Sequence, residues 1–340
     1  MTPDLSDAFA RQSRACAALG SPFTAGLMQL LPALLPHAPR LAQMFDDWPG
    51  AKGPEGASLP LRLAGGLHAL ARAGVEPRLA RHYPPGTPGG RAAALPAVLA
   101  ARDGWFCNWV AQAPQTNEVG RAAVLIAAAR MLAARFALPF VLSEPGASAG
   151  LNLRFDRFAL AGEPHSTVRL APDWTGPRPA PVPLHVIDRR GADLHPLNPA
   201  QDGDRLAAYV WPDQAGRLRR LEAALRIAAG LPAPVDCADA ADWLEARLAT
   251  PRPGACHLVF HTIAFQYFPP ATQARATAAL ERAGATARPD APLAWLAMEA
   301  DGAPDGAAVT LRLWPGDLRL TLGRAGFHGQ WLRWQAAAIG

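Results

Sequence analysis

The run Glu144-Pro145-Gly146-Ala147-Ser148-Ala149-Gly150 follows the apolar stretch Phe140-Val141-Leu142, so one acid and a set of small residues stand where a strand would end. A nucleotide lying across the carboxyl end of a strand needs close backbone approach at the first glycine and then a tight turn, both of which a side chain would obstruct. Gly146, Ser148 and Gly150 at alternate positions allow this, and the amides of the next segment, with Asn152 beside them, can meet polar ligand atoms. Glu144 stands where a carboxylate can reach a charged end of the ligand. The competing reading is a structural glycine turn that binds nothing.

Other residue groups offer chemistry. Asp193, in Gly191-Ala192-Asp193-Leu194-His195-Pro196, and Asp239, in Cys237-Ala238-Asp239-Ala240, occupy turns where an aspartate can hold ligand hydroxyls or amines, or simply bond its own backbone. His261, Thr262 and Tyr267 lie at the end of an apolar stretch from Leu258, placed for proton transfer or for ordinary half-buried packing. Gln115, Asn117, Glu118 and Arg121 crowd four polar groups into seven residues. They are candidates to line a substrate pocket, and helix capping with a surface ion pair explains them equally well. The four cysteines stand far apart without a Cys-x-x-Cys pair, so neither a metal site nor a disulfide framework is expected.

The positioning elements are read from pattern. From Leu5 to about Arg81 the spacing is helical, with Phe23, Leu27, Leu30, Leu31 and Leu34 on one stripe and Leu63, Leu67, Leu70 and Ala71 on another. Gly- and Pro-rich breaks lie at Pro49 to Pro60 and Pro84 to Gly90, and a further helix is expected over Ala92 to Ala101. Thr116 or Asn117 can cap a helix running to about Phe136, which Leu138-Pro139 stops. Strands are then expected over Phe140 to Glu144, Leu184 to Ile187, Cys256 to Phe260 and Leu293 to Met298, with helices over Arg205 to Ala229 and Ala271 to Ala283. Such alternation predicts an α/β fold with a doubly wound, mostly parallel sheet. The tail, with Val309 to Trp314 and Leu318 to Leu322 around Pro315-Gly316-Asp317 and then Trp331 to Trp334, predicts antiparallel C-terminal strands. The division expected is a helical N-terminal cap region over 1–116 and an α/β domain over 117–340.

With these motifs in place, the chain resembles class I S-adenosylmethionine (SAM)-dependent methyltransferases, whose first motif is an acid, one residue, then Gly-x-Gly-x-Gly; here Ser148 replaces the middle glycine. The longer string Glu144 to Leu153, with Gln115 to Arg121, looks like a bacterial family of unknown function sharing that architecture, over most of the chain. The resemblance implies a Rossmann-type domain with SAM as cofactor. It implies that Glu144 holds the amino-acid end, that Gly146, Ser148 and Gly150 shape the loop, that Asp193 holds the ribose and that Asp239 approaches the adenine. It implies His261 or Tyr267 as the base for methyl transfer to a small molecule. Asp193 lies far beyond the roughly 20 positions expected of a dinucleotide-binding acid, so an insertion, the proline-rich segment 159–183, must loop out, where it could form part of a lid.

Two other readings stand beside this one. A methyltransferase-like fold can retain binding or scaffolding without turnover. Gly146 to Gly150 is also Gly-x-Ser-x-Gly, the turn that exposes a serine nucleophile in α/β-hydrolases, with Ser148 as nucleophile and Asp193 or Asp239 then His261 or His328 in order. Against it, helices rather than several strands precede the turn, no His-Gly oxyanion segment lies upstream, and Glu144 would set negative charge beside a developing oxyanion. Half the residues are apolar and 18% are charged, a globular composition. The formal charge of +5 comes from scattered arginines, with Lys52 the only lysine, so no nucleic-acid stripe is expected. The amino terminus lacks the basic start of a secretory signal, and prolines interrupt the uncharged stretch Ser21 to Pro39, so no membrane span and a cytoplasmic location are expected. These residues leave the oligomeric state open.

Overall fold

The computed structural model describes residues 3–87, 89–163, 166–336 and 338–339. The chain forms two compact units, one of Met1–Thr116 with Asp202–Arg219, the other of Asn117–Gln201 with Arg220–Gly340.

The first unit is helical. Helices run over Pro3–Ala18, Pro22–Leu34, Pro39–Asp46, Leu59–Arg72, Pro77–Ala80, Arg91–Ala101, Asp103–Ala111 and Gly203–Ala208. Prolines set several starts, where a missing N–H does no harm; Pro22 and Pro39 are examples. The expected stripes form the core, where Leu27, Leu31, Leu63 and Leu67 pack with Phe9, Phe45 and Phe106. The returning segment is tied in by Asp213, whose carboxylate accepts from the Ser21 hydroxyl (2.5 Å) and the Phe23 amide (2.9 Å) at a helix start. The expected single helix from Arg205 to Ala229 is instead two, Gly203–Ala208 and Ala215–Gly230, separated around Pro212. Proline cannot supply the amide that a continuous helix needs there.

The second unit is built on strands β1 (Phe140–Pro145), β2 (Ala159–Leu160), β3 (Arg169–Leu170), β4 (Asp173–Thr175), β5 (Val186–Asp193), β6 (Val235–Cys237), β7 (Cys256–Thr262), β8 (Leu293–Glu299), β9 (Ala307–Trp314), β10 (Leu318–Ala325) and β11 (Trp331–Trp334). Nine of them form one mixed, mostly parallel sheet in the order β4-β11-β10-β9-β8-β7-β1-β5-β6. From β8 to β6 every pairing is parallel. The tail adds the expected antiparallel meander, β9, β10 and β11. β4 pairs with β11, so this part of the proline-rich insertion extends the sheet at the edge away from β1 rather than covering the glycine-rich turn. Residues 164 and 165 of the insertion, like Pro88 of the second break, lie outside the described residues.

β5 begins later than expected and carries the polar run Asp188-Arg189-Arg190, which alternation alone would place in a loop. Pairing makes the run tolerable in a strand. Arg189 donates two hydrogen bonds to the Asp156 carboxylate at 2.7 and 3.1 Å, and Arg190 two to that of Asp236 at 2.7 and 2.8 Å. All seven residues of β7 are buried, the mark of a strand covered on both faces. Val259 joins the cluster made by helices Ala240–Leu248 and Pro270–Ala285, while Phe260, on the opposite face by strand alternation, meets Phe155 edge-on at 5.8 Å. Phe260→Ala is expected to destabilise the chain by about 3–5 kcal/mol, read as a lower urea midpoint; a change under 1 kcal/mol would refute this account of the core.

Candidate functional site

In the parallel part of the sheet the chain runs outward from β1 through β5 to β6, then crosses to β7 on the other side of β1. The strand order therefore reverses between β1 and β7, and open α/β sheets bind ligands in the crevice that such a reversal leaves at the carboxyl ends. The glycine-rich turn lies there. Gly146, Ser148 and Gly150 all have left-handed backbone, with φ of +75°, +54° and +65°. The turn folds back over β5 because the Gly146 and Ala147 amides both donate to the Ala192 carbonyl, at 2.8 and 3.0 Å. A Cβ on Gly191 would come 2.5 Å from the Ala147 Cβ, so only glycine fits beneath.

Asp193, at the end of β5, holds the serine's unusual backbone. One carboxylate oxygen accepts from the Ser148 amide at 2.8 Å and the other from the His195 amide at 2.9 Å. Glu144 is 3% exposed, and its Oε2 is buried with no hydrogen-bond partner. Burial, reinforced by Asp193, raises its pKa well above the ordinary glutamate range, against the pull of Arg154 and Arg121.

The polar cluster before the helix joins the same place. Asn117 accepts the Leu151 amide at 2.7 Å, and Asn152 donates to the Glu118 carbonyl at 3.4 Å, leaving its own buried Oδ1 without a donor. Arg121 donates to the carbonyl of Thr262, at the end of β7, at 2.9 Å, and to that of Phe327 at 2.8 Å. The helix cap differs from expectation. Glu118 accepts from the Gly120 amide, a short 3₁₀ turn covers Val119–Arg121, and the helix proper is Ala122–Phe136. Asn117 is unavailable for capping because the turn after β1 occupies its oxygen. Gln115 belongs to the first unit.

The model of a family described as uncharacterized protein conserved in bacteria (DUF2332) matches residues 6–334. The chain belongs to this family. No curated protein and no solved structure matches it. Among the described residues, no group of three or more His, Cys, Asp or Glu is arranged to hold a metal ion, and no helix is long and apolar enough to cross a membrane.

The remaining candidates of this DUF2332 member take structural positions. Asp239 caps helix Ala240–Leu248, one oxygen accepting from the Ala241 and Asp242 amides at 2.8 and 3.3 Å and the other from Thr272 at 3.2 Å. His261 is 2% exposed and both its ring nitrogens are engaged. Trp295 donates to Nε2 at 2.8 Å, which leaves Nδ1 to donate to Glu299 at 2.7 Å and fixes a neutral tautomer. A histidine so held has no lone pair to offer a substrate proton. Tyr267 stands 70% exposed.

Two groups escaped sequence reasoning. Arg154, buried beneath the turn, donates to the Gly150 and Leu231 carbonyls, both at 2.7 Å. Desolvation by burial, with Arg189 nearby, lowers its pKa to about 10. Arg154, set between the apolar Leu153 and Phe155, was the available signal. Glu299, at the end of β8, accepts from His261 and from the Ala264 and Phe265 amides at 3.0 and 3.2 Å, and so holds the segment after β7. Burial opposes its ionisation, but these donors outweigh it and keep its pKa below the ordinary range.

Glu299 stabilises the fold in its ionised form. Its contribution to folding is fully present above the ordinary glutamate pKa and is lost as pH falls through the depressed one. Glu299→Gln is therefore expected to melt below the wild type at pH 7, with the gap closing toward pH 3. A gap that stays constant would remove the ionised carboxylate from the account.

Proposed function

We propose that the second unit is a class I methyltransferase-like domain that binds SAM at the carboxyl ends of β1, β5 and β7 and transfers its methyl group to a small molecule. The observation that carries this reading is Glu144, a buried carboxylate whose Oε2 lacks a donor, beside a left-handed turn at the reversal of strand order. An unsatisfied buried acceptor costs about 1–3 kcal/mol, and the ammonium of the ligand's amino-acid end would remove that cost with a charge-assisted bond. The parallel order, with later strands on both sides of β1, agrees with doubly wound nucleotide-binding sheets.

Each oxygen of Asp193 keeps a second lone pair for a ribose hydroxyl while orienting the turn. Asp239 is committed to its helix cap and Thr272, so in this reading it shapes the turn past β6 and leaves the adenine edge to the backbone. Bound SAM supplies a methyl group already activated by its sulfonium, so alignment and exclusion of water are the main tasks left to the protein. His261 stiffens the wall rather than accepting a proton, and Tyr267 remains the side chain free to meet an acceptor. The hydrolase alternative suffers because the Ser148 amide is taken by the Asp193 carboxylate, an acceptor that would oppose an oxyanion formed beside it.

Calorimetry with SAM and its demethylated product tests the reading. Micromolar binding is expected, weakened at least ~10-fold in Glu144→Gln with circular dichroism unchanged. No heat with either compound would sink the proposal, and binding without methyl transfer to any acceptor in a metabolite extract would move it to the non-catalytic form.

A second check uses the unliganded protein. Because the Glu144 pKa is raised on folding, its burial is harmless below the ordinary glutamate range and costs stability as pH rises through the shifted value. Glu144→Gln is expected to melt above the wild type at pH 8 and level with it near pH 4; coincident melts at both pH values would contradict the unpartnered carboxylate.

A further inference from the structure

The first unit contains a cavity of ≈ 340 Å³ lined by, among others, Trp105, Trp109, Arg72, Arg102, Arg205 and Asp204. Its volume suits a small organic ligand. Trp105 and Trp109, one turn apart on helix Asp103–Ala111, stack with centroids 5.3 Å apart and planes inclined at 22°. Stacked in this way the two rings cover one face of each other, and the pair meets the cavity as a rigid apolar stack.

Beside this stack the Arg205 guanidinium lies 4.6 Å from the centroid of Trp109 and 5.7 Å from that of Tyr209. Its Nη2 is buried and no hydrogen-bond acceptor reaches it. Arg102 contrasts with it, being paired with Glu76 at 2.7 Å. A guanidinium fixed over aromatic faces but left short of acceptors is a cation prepared for an incoming anion.

We infer that this cavity binds a small planar organic anion, an aromatic carboxylate or a ligand of equivalent shape and charge, with its ring packed against the Trp105–Trp109 stack and its carboxylate at Arg205. A cationic ligand would meet the Arg205 guanidinium at the aromatic stack. A neutral one would leave Arg205 without the acceptor that it lacks. The inference uses only the first unit and does not depend on SAM binding.

Calorimetry on the full chain with 2-naphthoate, and with 2-naphthalenemethanol as its neutral counterpart, tests it. The anion is expected to bind at least tenfold more tightly than the alcohol, and more weakly as salt rises. Arg205→Gln should bring the anion to the level of the alcohol, while Trp105→Ala should weaken both. Arg205→Lys, which keeps charge and stem, should retain a preference for the anion and so distinguishes a lost ligand contact from a lost fold. Equal affinity for the two compounds, no effect of Arg205→Gln with circular dichroism unchanged, or no heat up to millimolar naphthoate would overturn the inference.

Discussion

The approach of Ala147 to Gly191 governs the site. Their contact leaves no room for a Cβ on β5, and it lets the chain leaving β1 lie flat over the neighbouring strand instead of rising away from the sheet. Two amides then converge on the Ala192 carbonyl, the Ser148 amide reaches Asp193, and the Leu151 amide reaches Asn117. The left-handed residues 146, 148 and 150 follow from that path, since a turn so tight requires positive φ at alternate positions. Serine tolerates one of these because a carboxylate holds its amide.

Two glutamates at strand ends on either side of β7 show how local donors decide the state of a buried acid. Glu299 and Glu144 both leave water, and desolvation alone would raise both pKa values. Glu299 meets a histidine N–H and backbone amides and stays ionised. Glu144 feels a second carboxylate, Asp193, and its Oε2 finds no donor, while Arg154 directs its own hydrogen bonds to carbonyls. The first arrangement is complete within the chain, whereas the second leaves an acceptor open beside a left-handed turn. That difference, more than any one residue type, separates a structural acid from a candidate binding group.

The first unit shows a related economy. Asp213 closes the start of helix Pro22–Leu34 from a segment distant in sequence, satisfying donors that helix geometry leaves open. Arg205, a few residues earlier in the same segment, rests on aromatic faces with a nitrogen left unmatched. The same short return of the chain therefore completes one part of the helical unit and leaves an unmatched donor in another.

The amino-acid order by itself determined the element types. Helical periodicity marked the first unit, an apolar run ending in an acid marked β1, and Pro-Gly-Asp between alternating segments marked the terminal hairpin, because these signals act over a few residues. It also singled out Glu144, the turn to Gly150 and the cluster from Asn117 to Arg121, which the fold does bring together. Only the tertiary structure decided what these groups do. That Glu118 rather than Asn117 caps the helix, that Asp188-Arg189-Arg190 lies within a strand, and that His261 has no lone pair to offer all depend on partners far along the chain: Leu151, Asp156 with Asp236, and Trp295 with Glu299. The return of Asp202–Arg219 to the first unit was equally hidden, since a helix after a strand reads as a crossover until its packing is known. Local pattern specifies conformation; hydrogen-bond satisfaction and burial, which assign roles, are set by contacts that sequence proximity does not contain.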